Sequence, residues 1–343
     1  MSASLATLRR HFLREKLRGY TLITTGAYNG SAYVGKATGT DAKRNIVSFD
    51  LSDQAVDGGD ESDLPSGQYD NAWAYVPALG VQRRIPRNGY TAAAVASDVT
   101  DQVSMTSDYV GVITVAQPFT AALNANQYVE LSTRLPILDA RGLAGVHTIL
   151  NRALRRMAMP SRIALTGVSG QTRYSLSSYP WITKQDQLIR VIDTEDVSGV
   201  DPRPLRGNHR IRISNQTAYL ILDNNITTGT AFSVDLWRPI GSWIKVGGTW
   251  AESTAGLVNE SDEAQVDPDN LAIVAYYYAC DELAEHGPDG EKGTWASRRD
   301  RAMEAAYPLI RWQHDTYDDP SNDAPVFVSD GFSLKDLGGI GWP

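Results

Sequence analysis

The chain has 343 residues, so a prior of roughly 100 to 200 residues per domain predicts two or three domains. An apolar fraction of 42% and a charged fraction of 21% are typical of folded proteins, and no apolar run reaches the ~18 residues that cross a bilayer. The net charge of −8 argues against general wrapping of nucleic acid, which needs a basic surface.

Residues 1–19 form a predicted basic helical arm. Ser4 is a candidate N-cap and Gly19 a candidate end, and the apolar stripe between them consists of Leu5, Leu8, Phe12, Leu13 and Leu17. A helix this short is marginal alone in water. We therefore expect it to dock either on its own chain or on a neighbouring chain.

Residues 20–138 form a predicted all-β domain, because the helical period gives way to short runs of strand-forming residues separated by turn formers. The predicted strands are Tyr20 to Thr24, Ile46 to Leu51, Ala72 to Val76, Val110 to Val115 and Tyr128 to Ser132. The tyrosine, isoleucine, valine and threonine in these runs suit a half-buried pleated surface.

A second predicted domain covers residues 139–316 and begins with a helix over 143–157. Strand-like runs return over 161–256. Residues 210–214, Arg-Ile-Arg-Ile-Ser, alternate between polar and apolar, as expected for a sheet with one buried face and one solvated face. This segment is a predicted β-sandwich-like unit that interrupts a layer of helices.

Two further helices are predicted over 268–286 and 294–315. Asp267 and Pro268 provide a cap and a first helical residue, and a Gly-Pro pair follows the first of these helices. Pro308 is expected to kink the second helix. The predicted fold class is therefore α+β, with an all-β N-terminal domain followed by a three-helix layer that the β unit interrupts.

Residues 317–343 form a predicted extended tail. The segment is rich in glycine and proline, yet it keeps more large apolar residues than a freely disordered tail would. These residues are Val326, Phe327, Phe332, Leu334, Leu337, Ile340 and Trp342. We expect the tail to lie along a partner.

Local signatures of catalysis or metal binding are missing from the sequence. The five histidines are far apart and the chain has one cysteine, Cys280, so neither a His-Glu-x-x-His site nor a cysteine-rich zinc site is predicted. The acidic loop 57–63 lacks the register of a calcium loop, and Gly287 to Gly293 lacks the ending of a phosphate loop. We predict no catalytic residue, metal or cofactor, although a pair of carboxylates brought together by folding stays open.

Three tryptophans lie in a turn-rich stretch near the end of the β unit: Trp237, Trp243 and Trp250. Such residues serve as core, as stacking surfaces for sugars or as subunit contacts, and the sequence leaves these alternatives open.

The order of the elements resembles a known family. The helical segment 150–157, the block 235–239 and the segment 275–283 after Asp267-Pro268 resemble parts of virion structural proteins from tailed bacteriophages. A helical layer interrupted by a β unit is similar to head-to-tail adaptor proteins. The resemblance covers residues 139–316 and is one of organisation, without a diagnostic motif, and the β domain 20–138 departs from a minimal adaptor.

The resemblance implies a non-enzymatic subunit of a ring, dodecameric in that family, at the head-tail junction of a virion assembled in the host cytoplasm. The implied partners are the portal protein, downstream tail or neck proteins and copies of the same chain. Genomic DNA would pass through without specific binding, and no membrane partner is implied. The candidate contacts are Arg9, Arg10 and Arg14 on the arm and the seven apolar tail residues from Val326 to Trp342.

Two other hypotheses stay open. A tail-tube, fibre-attachment or receptor-binding virion protein would also use two β units and tryptophans. A carbohydrate-active enzyme is a more remote alternative, based on the abundance of aspartate and tyrosine.

Overall fold

A computed structural model describes the following residues: 2–17, 19–24, 46–50, 69–88, 90–94, 109–121, 123, 127–140, 142–193, 205, 207–223 and 226–310. The chain contains both helices and antiparallel sheets and is of the α+β class. It divides into two compact units. Within the described ranges, no helix combines the length and the apolar character that a membrane span requires.

The helices are α1 (Leu5–Phe12), α2 (Val146–Arg156), α3 (Pro268–His286) and α4 (Lys292–Ala306), and α1 continues as a π-helical turn over Leu13–Leu17. The strands are β1 (Ala3–Ser4), β2 (Tyr20–Thr24), β3 (Ile46–Asp50), β4 (Trp73–Val76), β5 (Val81–Arg84), β6 (Tyr90–Ala94), β7 (Tyr109–Thr114), β8 (Tyr128–Ser132), β9 (Ala158–Thr166), β10 (Arg173–Ser175), β11 (Leu188–Asp193), β12 (Arg210–Ser214), β13 (Thr217–Ile221), β14 (Ala231–Pro239), β15 (Trp243–Val246), β16 (Thr249–Glu252) and β17 (Glu263–Ala264).

Unit 1 consists of residues 1–152, 258–262 and 267–303. It contains a four-stranded antiparallel sheet in the order β2-β8-β4-β5 and a three-stranded antiparallel sheet in the order β3-β7-β6. Its apolar core includes side chains from the strands and from the segments that connect them, among them Ala74, Ile85, Ile113, Phe119 and Leu131. Unit 1 therefore combines the predicted arm, the predicted β domain and most of the predicted helices.

Helix α1 packs on α3 within unit 1. Ser4 caps it by accepting a hydrogen bond from the Thr7 N–H at 3.3 Å. All five residues of the predicted apolar stripe, Leu5 to Leu17, are buried. The sequence left open whether this helix docks on its own chain or on a neighbouring chain. In the structure it docks on its own chain.

The other helices of unit 1 meet at one carboxylate. Asp281 of α3 pairs with Arg152 of α2 at 3.9 Å and with Arg299 of α4 at 3.5 Å. Arg152 also lies over the Tyr278 ring, 4.5 Å from its centroid. These pairs link helices from distant parts of the sequence within unit 1.

Unit 2 contains the described residues of 153–257, together with 263–266 and 304–310. Two three-stranded antiparallel sheets, β11-β14-β9 and β10-β13-β12, share one apolar core. Strands β14 and β13 are central, and alternate residues such as Phe232, Val234 and Leu220 point into this core. Strand β15 pairs with β16 and β17 in a further sheet.

The last helix departs from the sequence prediction of 294–315. Helix α4 starts at Lys292 and ends at Ala306, and Pro308 lies in the 3-10 turn Tyr307–Leu309 that follows. Proline lacks an N–H and clashes with the carbonyl four residues earlier, so it ends this helix instead of kinking it. The first helix of the layer is also shorter than predicted, 146–156 instead of 143–157. The predicted tail 317–343 lies outside the described residues.

Candidate functional site

Among the described residues, the densest group of charged side chains surrounds Arg9 of α1. The Arg9 Nε donates to Glu130 Oε2 at 2.8 Å and its Nη2 donates to Glu130 Oε1 at 2.6 Å, a fork-to-fork pair. Both side chains are 0% exposed. Arg10, the next residue of α1, donates its Nε to the same Glu130 Oε1 at 3.0 Å.

A second carboxylate, Glu260, binds the remaining nitrogen of Arg9. The Arg9 Nη1 donates to both Glu260 oxygens at 2.7 Å, and the Tyr75 hydroxyl donates to Glu260 Oε1 at 2.6 Å. The same Nη1 lies 2.8 Å from His147 Nε2. Because a guanidinium only donates, the His147 Nε2 accepts and the ring is neutral in this arrangement.

The four side chains around Arg9 and Arg10 in this Arg9 cluster each come from a different element. Glu130 projects from β8, Tyr75 from β4 and His147 from the first turn of α2. Glu260 lies in a turn that Asp262 holds, since the Asp262 carboxylate accepts the N–H groups of residues 258 and 259 at 2.9 and 2.8 Å. The cluster therefore ties α1 to the sheet, to α2 and to this turn, all within unit 1.

The electrostatics of the cluster favour fixed charges. Burial opposes ionisation of Glu260, but the hydrogen bonds and charge of Arg9, with the Tyr75 hydroxyl, outweigh it and lower the pKa of Glu260. Burial, with the charge of Arg9, lowers the pKa of His147 to about 4. For Arg9, burial acts to lower the pKa, but Glu130 and Glu260 together raise it.

The two carboxylates meet in space, which is the arrangement that the sequence could not reveal. Both are bound by Arg9, and a general acid at neutral pH requires a carboxyl with a raised pKa, whereas the pKa of Glu260 is lowered. The two carboxylates and the guanidinium groups of Arg9 and Arg10 balance in charge. The geometry is that of an ionic lock that holds elements together. Among the residues described, no three His, Cys, Asp or Glu side chains form a group able to hold a metal ion.

The structure corrects the placement of Arg9. It was predicted as a contact with the portal or with another subunit, but it is fully buried because it lies on the same helical face as Leu5 and Phe12. Arg10 keeps 32% of its side chain exposed, and Arg14 is exposed with its guanidinium 5.7 Å from the Tyr20 ring centroid. The seven predicted tail contacts, Val326, Phe327, Phe332, Leu334, Leu337, Ile340 and Trp342, lie outside the described residues, as does the acidic loop 57–63.

The partners of Arg9 were missed by sequence reasoning. Glu130, His147 and Glu260 lie 121, 138 and 251 positions from Arg9, so no local spacing connects them. The one available signal was Arg9 itself. A cation four residues after Leu5 and three before Phe12 falls inside the apolar stripe, and a buried cation needs a carboxylate partner.

Trp243, one of the three tryptophans, lies against a charged side chain. In unit 2 the Arg238 guanidinium lies between the Trp181 and Trp243 rings, 4.9 and 4.4 Å from their centroids, and pairs with Glu252 at 3.3 Å. One face of Trp243 is thus covered by a side chain of its own unit. A comparison with known protein families, with curated proteins and with solved structures finds no match to this chain.

Proposed function

We propose that this chain is a structural subunit of a bacteriophage virion, a head-to-tail adaptor that forms a ring between the portal and the tail and lines the DNA exit channel. In this proposal an all-β N-terminal domain precedes a three-helix layer that a β-sandwich-like unit interrupts, and an extended tail follows. The observation that carries it is the contact between α2 and α3 across the long β segment that separates them in sequence.

The contact consists of specific pairs. The Ala144 N–H, just before α2, donates to Glu282 Oε1 of α3 at 2.8 Å, although the two residues are 138 positions apart. Arg152 adds its contacts with Tyr278 and Asp281. These side-chain contacts join α2 to α3 within unit 1, and they support the proposal that the β segment interrupts a layer of helices.

The Arg9 cluster supports a role in assembly. A ring subunit has to present fixed surfaces to its neighbours, and the lock fixes α1 on the body of unit 1. Arg10 and Arg14 then remain as cationic contacts for an acidic portal surface. The apolar tail residues from Val326 to Trp342 are the proposed contacts with the portal or with an adjacent subunit, since burial of apolar surface contributes about 25 cal/mol per Å².

The test is the mass of the assembly. The purified chain, alone and with the portal protein of the same phage, is measured by native mass spectrometry and by negative-stain electron microscopy. We expect a closed ring, at least when the portal is present. As a control, an unrelated portal should not recruit the chain.

Other outcomes point elsewhere. A chain that stays monomeric with its own portal contradicts the adaptor proposal. A trimer, or glycan binding that Trp243→Ala abolishes, favours a fibre or receptor-binding protein. Turnover on a panel of polysaccharides favours a carbohydrate-active enzyme.

A further inference from the structure

The sheet β10-β13-β12 of unit 2 has two different faces. Its inner face contributes Tyr174, Ile211 and Leu220 to the core. Its outer face carries three arginines, Arg173 on β10 and Arg210 and Arg212 on β12, and all three are exposed. We call these three residues the arginine face.

The pairing register places the arginine face on one compact area. Arg173 and Arg210 both pair with Ile221 of the central strand, from opposite sides, and Arg212 pairs with Tyr219. Strands lie about 4.8 Å apart and alternate residues about 6.8 Å apart, so the three side chains start within roughly 12 Å of one another. Such spacing concentrates positive charge in a chain whose net charge is −8.

Among the described residues, no carboxylate pairs with the arginine face. In the part of the chain that the structure describes, none of its three guanidinium groups forms an ion pair, and strands β10, β12 and β13 contain no acidic residue. The other three-stranded sheet of this unit differs, because Arg162 and Arg190 both bind Asp235 there, at 2.7 and 2.9 Å.

The nearest described carboxylate in sequence has another role. Asp223, just after β13, accepts the Asn208 N–H at 2.8 Å. The remaining polar groups of the outer face are hydroxyls, those of Ser175, Ser214, Thr217 and Tyr219, which have the same strand parity as the arginines. Among the described residues, the three strands of the face therefore offer hydrogen-bond donors to an anion and carry no carboxylate of their own.

We infer that the arginine face binds the phosphate backbone of double-stranded DNA without reading its sequence. Guanidinium groups and hydroxyls are the side chains that contact phosphate oxygens, and the guanidinium fork matches a phosphate in two hydrogen bonds. An acidic protein surface would also pair with arginines, so displacement by an acidic polypeptide is one outcome of the test below.

A duplex fits better than a single strand. Proteins that bind single strands need free aromatic rings on which bases stack. The one aromatic residue of the face, Tyr219, has Arg173 over its ring at 3.7 Å from the centroid. That ring face is occupied, so the arginine face offers charge to a backbone and no platform to a base.

This inference does not depend on the neck proposal, since it concerns a surface of one chain and is tested without a portal. Three phosphate contacts predict a slope of about −3 in a plot of log affinity against log salt concentration. Binding should be weak at physiological salt, because the net charge of the whole chain is negative. A contact of this kind holds DNA transiently.

The test measures the fluorescence anisotropy of a labelled duplex of arbitrary sequence, titrated with the full chain from low to physiological salt. Each single replacement, Arg173→Gln, Arg210→Gln or Arg212→Gln, should reduce the salt slope by about 1, and the triple variant should lose at least ~10-fold in affinity at low salt. The matched control is Arg87→Gln with Arg298→Gln and Arg301→Gln, three other exposed arginines whose replacement changes the net charge equally. This control should bind as the native chain does.

Several results overturn the inference. The inference is wrong if the duplex does not bind at low salt, or if the control triple variant loses as much affinity as the arginine-face variant. A single strand that binds more tightly than the duplex contradicts the choice of partner. Displacement of the duplex by poly-glutamate, added at an equal concentration of charge, also contradicts the choice of partner, because an acidic polypeptide then binds as well as DNA. Circular dichroism of each variant establishes that it is folded, and the single variants decide the question if the triple variant is not.

Discussion

Arg9 provides the first prediction at the scale of single residues. Replacement of Arg9 by Met keeps an unbranched apolar stem but leaves Glu130, which is fully buried, without its main partner. Removing one member of a buried pair leaves an uncompensated charge, so we expect a loss of about 3 to 5 kcal/mol in the free energy of unfolding. Urea denaturation followed by circular dichroism measures this loss.

The matched control is Arg14→Met, which is the same change at an exposed position about one turn further along the helix. It should alter the free energy of unfolding by less than about 0.5 kcal/mol. Adding Glu130→Gln to Arg9→Met should recover part of the loss, because it removes the stranded charge. Equal effects of Arg9→Met and Arg14→Met would show that the lock is not important for stability.

His147 gives a prediction for pH. Burial and the charge of Arg9 lower its pKa from 6.5 to about 4. As the pH falls, the unfolded chain binds a proton on His147 before the folded chain does. The stabilisation is therefore fully present above about pH 6.5 and declines towards pH 4, by up to roughly 3 kcal/mol. The contribution of Glu260, whose pKa is lowered, is present above its ordinary value of 4.5 and is lost further into acid.

The measurement is the free energy of unfolding at a series of pH values through this window. His147→Gln keeps an acceptor for Arg9 but cannot titrate, so its stability should depend less on pH between 4 and 6.5 than that of the native chain. His286→Gln, at a position that is 52% exposed, should behave as the native chain. A His147→Gln profile parallel to the native one contradicts the prediction.

At the scale of elements, Gln187 ties the segment 181–187 to β14 within unit 2. Its buried side chain accepts the N–H groups of Thr183 and Lys184 at 2.6 and 2.7 Å and donates to the carbonyls of Trp181 and Trp237 at 3.1 and 3.0 Å. All four hydrogen-bonding positions of the amide are used.

Gln187→Glu replaces the donating nitrogen by an oxygen that faces two carbonyl oxygens. We expect a loss of roughly 3 kcal/mol or more in the free energy of unfolding, because a buried charge meets acceptors where it had donors. Gln185→Glu is the same chemical change at an exposed position of the same turn and should alter stability by less than about 0.5 kcal/mol. A cost for Gln187→Glu no larger than that of Gln185→Glu would contradict this account.

The elements that sequence predicts well are those with local signals. The predicted range 268–286 and the observed α3 coincide, since Asp267 caps the helix by accepting the Asn270 N–H at 3.0 Å and glycine follows its last residue. Strand β5 was not predicted, because its residues Val81 to Arg84 include two arginines and a glutamine. Strand pairing, with Trp73 opposite Arg84, supplies what local composition lacks.

The Arg9 cluster and the arginine face were likewise predictable only where a local sequence pattern exists. The alternation of residues 210–214 indicated a two-faced strand, and the structure has Arg210 and Arg212 on the exposed face. The addition of Arg173 depends on the register of β10 with β13, which no local spacing reveals. Sites made of one strand can be read from sequence, whereas sites made of several elements require the fold.

At the scale of the whole molecule, unit 1 is assembled from three separate stretches of the chain. Residues 258–262 bring Glu260 to Arg9, although the chain has passed through unit 2 before it returns. A boundary read along the sequence cannot show such a return. Unit 1 therefore depends on long-range contacts. A measurement of how often unit 1 opens tests these contacts together.

The chain contains a single cysteine, Cys280, which provides that probe. It lies in α3 of unit 1 with 0% exposure, and burial raises the pKa of its thiol to about 11. A buried thiol with a raised pKa reacts only when its surroundings open. We expect the native chain to react slowly with a maleimide reagent at neutral pH. The Arg9→Met variant should react ~100-fold faster or more, because its lower stability raises the population of open chains by that factor.

Mass spectrometry after quenching measures the labelled fraction over time. Arg14→Met should react at the native rate, and Cys280→Ser should take up no label, which sets the background. If the native chain is labelled to completion as fast as a free thiol, Cys280 is not enclosed by unit 1. If Arg9→Met leaves the rate unchanged, the Arg9 cluster does not hold α1 against α3, and the surface that α1 presents for assembly is not fixed by it.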